Sequence, residues 1–209
     1  QPAIAQWNLA RFGETLLPLI AKDPKDAVAP VTEELSAFAG AYAREIGARM
    51  AARFGLPEQD RQLVEDALGL LHRHRVDYTK FFRRLARGTA DELFAGAADW
   101  EPATGAAAEA LRATEAAGPP DFRSWHARWR AAVGDRNAAA ERMNAVNPAY
   151  IPRNHVVESA LASAGAGDLA PLERLLVALR NPFEDRAELA DLGEPPPSGS
   201  GPHVTYCGT

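Results

Sequence analysis

The sequence predicts an all-α fold, and three observations carry that prediction. Apolar residues recur at helical spacing, most clearly in the stripe Val31, Leu35, Phe38, Tyr42, Ile46 and Met50. Stop signals sit where helices should end, as at Gly55-Leu56-Pro57. Capping aspartates precede apolar runs, as at Asp77 and Asp121. With 209 residues, 46% of them hydrophobic, the chain is long enough to bury a sizeable core.

Taken in order, Trp7–Ile20 reads as a first helix that is apolar nearly all the way round, which predicts burial on every side. Pro18 predicts a kink or an early end. Lys22 to Ala29 reads as a polar connector, and Pro30 suits the first turn of a long second helix. A third helix is expected from Glu58 to Arg75, with Leu63, Val64, Ala67, Leu68, Leu70 and Leu71 inward. Asp77 caps a short helix that buries Phe81, Phe82 and Leu85.

From Gly88 to Gly118 the signal weakens, although Thr104–Ala117 is alanine-rich and predicts a helix. Asp121 caps the next helix, which carries Phe122, Trp125, Trp129 and Val133. Asn137 to Val146 follows and ends at Asn147-Pro148, because the residue before proline avoids helical backbone. Arg153–Ala164 and Asp168–Leu179 predict a helical hairpin around Gly165-Ala166-Gly167. Beyond Pro182 the chain reads as irregular, with a short extended piece possible at Val204–Tyr206. The domain reading is a helical body over 1–186 and a flexible Pro/Gly-rich tail over 187–209 that ends in the single cysteine, Cys207.

Composition narrows the function classes. A net charge of -5 argues against general nucleic-acid binding, which needs a basic face. One cysteine excludes an intrachain disulfide framework and a cysteine-based zinc cluster. No run of about 18 apolar residues is present to span a membrane, and no signal peptide is read at the start. The chain opens on Gln1, which suggests a fragment or a processed product.

Few motifs point to chemistry. Gly165-Ala166-Gly167-Asp168-Leu169-Ala170 fits a dinucleotide pattern, but a helix precedes it where a strand is required, so a helix–helix turn is expected. His72, His74, His126, His155 and His203 lack the i, i+4 spacing of a metal-binding helix. The adjacent carboxylates Glu33-Glu34, Glu65-Asp66, Asp91-Glu92 and Glu184-Asp185 diverge on a helix, which favours surface roles. Arg73, Arg75, Lys80, Arg83, Arg84 and Arg87 form the one basic concentration. It reads as a solvated face with two buried phenylalanines, the other reading being contact with phosphate or an acidic partner. Cys207 on a tail admits redox or tethering chemistry and an inert thiol alike.

Four ordered blocks carry a resemblance. They are Gln1-Pro2-Ala3-Ile4-Ala5-Gln6-Trp7-Asn8-Leu9-Ala10-Arg11, Asp77-Tyr78-Thr79-Lys80-Phe81-Phe82-Arg83-Arg84-Leu85, Asn147-Pro148-Ala149-Tyr150-Ile151-Pro152-Arg153-Asn154-His155 and the ending Cys207-Gly208-Thr209. Together they resemble the C-terminal part of the selenoprotein O family, along the whole chain and least well over 88–120. The resemblance implies the C-terminal helical lobe of a protein-kinase-like (pseudokinase) fold, with Trp7–Ile20 as its hydrophobic central helix, much of whose cover would lie in the rest of the protein. It implies a protein adenylyltransferase that uses ATP and Mg²⁺ or Mn²⁺ to place AMP on Ser, Thr or Tyr hydroxyls. Its partners would be protein substrates and the upstream kinase-like core of the same protein. The family's ATP-binding, base and metal-binding residues would all lie before Gln1, so no catalytic, cofactor-binding or metal residue is carried over. Cys207 is carried over, as the position where some members place selenocysteine and from which a redox-sensitive disulfide to the kinase core can form. The isolated chain is expected to be inactive. Together with the Ala/Arg coding bias, the resemblance suggests a bacterial cytoplasmic protein. A non-enzymatic helical interaction module, built on the apolar first helix, is the alternative, with a small-ligand binder a weaker third.

Overall fold

The computed structural model describes residues 2–94 and 121–197. The helix expected over 104–117, the extended piece at 204–206, His203 and Cys207 lie outside the described residues. Among the described residues every regular element is helical, as the periodicity predicts. The chain falls into two compact units, Gln1–Ala51 and Ala52–Thr209.

The first unit holds α1 (Pro2–Ile20) and most of α2 (Pro24–Arg53). Pro18 neither ends α1 nor stops it short of Ile20. A proline so near the C-terminus removes only one hydrogen bond, to the exposed Glu14, where water can replace it. The polar connector is a correction. Only Ala21 to Asp23 separates the helices, because Pro24, not Pro30, takes the first helical position. The Asp23 side chain accepts from the Lys25 N–H at 3.0 Å. Pro30 lies inside α2, opposite an exposed Asp26 whose freed carbonyl faces water. Gly13 is the buried residue of α1; a Cβ there would lie 2.9 Å from Val31 Cγ1, so its bare Cα lets α1 approach α2.

Burial of α1 on all sides does not hold in this chain. Ile4, Trp7, Leu9, Phe12, Leu19 and Ile20 are all exposed, Trp7 at 62% and Phe12 at 60%. One helix covers one stripe of another, and a helix that is apolar all round needs more neighbours than α2 supplies. Leu9, Phe12, Leu16 and Ile20 therefore share an apolar groove of about 480 Å³ with Val31, Leu35 and Phe38.

The second unit begins at the end of α2. Gly55 takes φ 66° there, as the expected stop requires. Helix α3 runs Arg61–Arg73, shorter than the reading from Glu58, because Asp60 supplies the cap, accepting from Leu63 N–H at 2.9 Å. Helix α4 (Tyr78–Arg87) is followed by a 3₁₀ turn at Ala90–Leu93. Helices α5 (Phe122–Val133) and α6 (Arg136–Val146) start at capping residues Asp121 and Asp135. The hairpin of α7 (Asn154–Gly165) and α8 (Ala170–Arg180) turns through Gly167 at φ 93°, so the glycine pair is the helix–helix turn that the sequence predicts.

Phe54 sits at the centre of the core. Its ring meets Phe82 edge-on at 4.9 Å, Phe81 at 6.2 Å and Trp125 at 6.0 Å. Trp125 Nε1 donates to Leu63 O at 2.9 Å and Trp129 Nε1 to Phe54 O at 2.8 Å, so both indoles are buried with their one donor satisfied. A smaller cluster joins Tyr150, Ala178, Leu189 and Leu192. It corrects the tail reading in part: Ala187–Gly193 is a 3₁₀ helix with Leu189 and Leu192 buried, held on by its apolar pair rather than loose.

Candidate functional site: a basic cleft between the second and third sequence blocks

The second and third sequence blocks converge in space. Asp77 caps α4 by accepting from the Lys80 N–H at 2.8 Å. Its two carboxylate oxygens also accept from Arg153 Nη1 and Nη2 at 2.8 and 2.9 Å. Burial pushes the Asp77 carboxyl up, but the Arg153 hydrogen bond, the Lys80 N–H and both positive charges outweigh it, leaving the group below its ordinary range. Asn147, 2% exposed, donates from Nδ2 to Arg53 O at 2.8 Å, and its own carbonyl accepts from Arg83 Nη1 at 3.1 Å. Tyr150 exchanges two 2.9 Å hydrogen bonds with Arg186, donating to its carbonyl and accepting from its N–H.

These contacts frame a cleft of about 410 Å³ between α4 and the segment 185–194. Lys80, Arg83, Arg84, Arg87 and Arg186 line it, with Asp185 and Glu194. The solvated-face reading of the basic run is corrected in part: Phe81 and Phe82 are buried as expected and Arg75 and Arg87 are exposed, but Arg83 is not solvated. Arg83 is 7% exposed, and it pairs with Asp185. Arg87 reaches the same carboxylate at 2.5 Å; Lys80 pairs with Glu194 and Arg84 with Glu92. An arginine so deeply placed must be paired, and the acids that pair these cations come from sequence-distant segments that periodicity does not reveal. Asp185, although pushed up by burial, is drawn below the ordinary carboxylate range by hydrogen bonds from Arg87 and Arg83. Of the adjacent carboxylate pairs, Glu184-Asp185 thus supplies a bridging ion and not a catalytic dyad.

Two histidines, His126 and His74, stand among aromatic rings. His126 is sandwiched between Phe122 and Trp129, 5.3 Å from each ring, and burial with the nearby Arg130 and Arg136 charges lowers its pKa. His74 stands edge-on to Phe94 at 5.5 Å, its pKa lowered by burial and then by Arg73. Among the described residues no group of three His, Cys, Asp or Glu side chains could hold a metal ion, and no helix is long and apolar enough to cross a membrane. The Mg²⁺ or Mn²⁺ that the resemblance implies therefore finds no fitting ligand set among these residues. Each of Lys80, Arg83, Arg84 and Arg87 is already engaged by a carboxylate, which does not suit a pre-formed triphosphate cradle.

Comparison with known proteins gives this arrangement a context. The family model of the protein adenylyltransferase SelO matches residues 1–180, which includes both converging blocks. A protein nucleotidyltransferase YdiU of Mycolicibacterium paratuberculosis is 41% identical over 214 residues, covering 100% of this chain and 40% of its own length. The YdiU proteins of Cereibacter sphaeroides (43% over 213 residues) and Rhodococcus jostii (42% over 216) likewise cover all of this chain, which spans 40% and 39% of their lengths. The chain thus spans about two fifths of the bacterial relatives it matches. With the match running through α1, the α4 wall of the basic cleft and all of α8, the chain belongs to the SelO family.

Proposed function

We propose that this chain is the C-terminal helical part of a protein adenylyltransferase that moves AMP from ATP to Ser, Thr or Tyr hydroxyls of proteins. The observation that carries the reading is the family match over residues 1–180 together with 41–43% identity along the whole chain. In such a reaction an acceptor hydroxyl would form a bond to the α-phosphorus of ATP, give its proton to a base in the part of the protein that this chain does not span, and displace pyrophosphate. Mg²⁺ or Mn²⁺, held by residues of that same part, would supply charge neutralisation. The described residues here serve as a scaffold. The Asp77–Arg153 pair and the Asn147 contacts lock α4 to the 147–154 segment.

On this reading the chain is a kinase-like C-lobe in a cytoplasmic bacterial protein. Its partners are protein substrates and the kinase-like core in the part of the relatives that it does not span. The exposed apolar residues of α1 support an interface with that core, since an exposed cluster of this size calls for a cover. Cys207 acts there as a redox element: an oxidant such as a peroxide takes two electrons, with loss of both thiol protons, as Cys207 and a core cysteine join in a disulfide. Replacing it with serine should remove any difference in activity between oxidising and reducing conditions; a difference that persists contradicts the redox role.

Labelled-AMP transfer to a protein acceptor tests the main reading. The longer protein containing this chain should label the acceptor when Mg²⁺ or Mn²⁺ is present, and the 209-residue chain alone should not. Robust transfer by the 209-residue chain would overturn the placement of the chemistry outside it. A second reading, a non-enzymatic interaction module, is favoured by the same exposed α1 face and is separated from the first by this assay.

A further inference from the structure

We infer that the cleft between α4 and the segment 185–194 binds a small phosphate dianion, either free phosphate or a phosphate monoester. The inference rests on charge balance within a concave site. Five cations line the cleft, Lys80, Arg83, Arg84, Arg87 and Arg186. Three carboxylates answer them: Glu194 on Lys80, Glu92 on Arg84 and Asp185 shared between Arg83 and Arg87. Arg186 donates from Nη2 to the carbonyls of Val177 and Ala178, at 2.9 and 3.2 Å, and has no carboxylate partner among the described residues. The formal excess is therefore two positive charges, in a chain whose net charge is -5.

An anion would enter by displacing exposed carboxylates around one fixed arginine. Arg83 is 7% exposed and anchored by the Asn147 carbonyl, and its Nε is buried with no hydrogen-bond partner among the described residues. Arg87, with its side chain 53% exposed, closes the outer side as an adjustable arm. The competing carboxylates are replaceable, since the side chains of Asp185 and Glu194 are 46% and 58% exposed. A dianion with several acceptor oxygens can take forked arginine donors that a singly charged carboxylate shared between two arginines leaves under-compensated. A cleft of about 410 Å³ exceeds what phosphate alone needs, leaving room for a small organic group.

Equilibrium dialysis of the 209-residue chain tests this, with inorganic phosphate in one arm and glycerol phosphate in the other. Chloride holds the ionic strength constant, and the pH keeps both probes dianionic. Saturable binding is expected in at least one arm; the tighter arm tells free phosphate from a monoester. Arg87→Ala should weaken binding about tenfold, as the loss of one charge-assisted contact does. Glu194→Gln should tighten it roughly two- to fivefold, by releasing Lys80 from a surface pair. The opposite signs separate a ligand site from mere structural damage, which lowers binding in both variants. Absence of saturable binding in both arms, equal affinity in the parent chain and both variants, or weaker binding in both variants overturns the proposal.

Discussion

Arg153 grips both carboxylate oxygens of Asp77, at 2.8 and 2.9 Å, across 76 residues of sequence. The same carboxylate caps α4, so one side chain both starts a helix and fastens it to the 147–154 segment. Arg153 is 8% exposed, and losing its partner would strand a buried charge.

Asp77→Asn keeps a good capping oxygen but removes the charge. We expect it to cost about 2–4 kcal/mol, mostly from the uncompensated guanidinium. Urea denaturation of the parent, Asp77→Asn, Arg153→Met and the double variant isolates the coupling. A coupling near zero would contradict the role given to the pair.

The acid limb of stability follows from the same carboxylates. Asp77 and Asp185 are both held below their ordinary values in the folded chain. A depressed folded pKa stabilises above the unfolded value, and that contribution is lost as pH falls through the folded one. Stability should therefore decline on going below the usual aspartate range, and the decline should be shallower in Asp77→Asn. Denaturation midpoints measured across that window check it; identical slopes in parent and variant would be the contrary result.

Trp125 and Trp129 each donate a buried indole hydrogen bond to a backbone carbonyl. Trp129→Phe strands a buried acceptor, Phe54 O, and should cost about 1–3 kcal/mol before any packing deficit. Trp125→Phe should cost less, about 0.5–1.5 kcal/mol, because Leu63 O keeps its intrahelical bond within α3. Thermal melts followed by near-ultraviolet circular dichroism report it.

Gly55→Ala should be costly, because the backbone is left-handed at φ 66° and the new Cβ would stand 2.8 Å from Ala139 O and 2.9 Å from Met143 Cγ. We expect about 2–4 kcal/mol of destabilisation. Gly165→Ala is the matched control: nothing lies within 4 Å of its Cβ and the residue is helical, so stability should hold or rise by up to ~1 kcal/mol.

The exposed face of α1 makes its own prediction. Trp7→Ser with Phe12→Ser should lower self-association in light scattering without shifting the thermal midpoint, since both side chains are already solvent-exposed. A lowered midpoint would mean that these side chains contribute to the fold of the isolated chain.

By itself, the sequence determined the elements whose signals are local. The aspartate caps at 77 and 121, the Gly55 stop, the turn at Gly165–Gly167, the inward leucines of α3 and the inward aromatics of α4 and α5 all depend on neighbours within a few residues, and all stand where periodicity puts them. The family was legible for a related reason: its blocks are contiguous runs of chain. Helix starts at Pro24 and Arg61 were missed because a proline or capping residue has several compatible positions, and the nearest good cap decides among them. Only tertiary structure decided the fate of the basic run. Whether Arg83 is solvated or buried depends on Asp185 and Asn147, which lie 102 and 64 residues away. It also decided that Ala187–Gly193 packs, because Leu189 and Leu192 need Tyr150 and Ala178 as partners. Charge pairing and apolar burial act through space, so a helix's periodicity names the face that turns inward but not the distant residue that meets it.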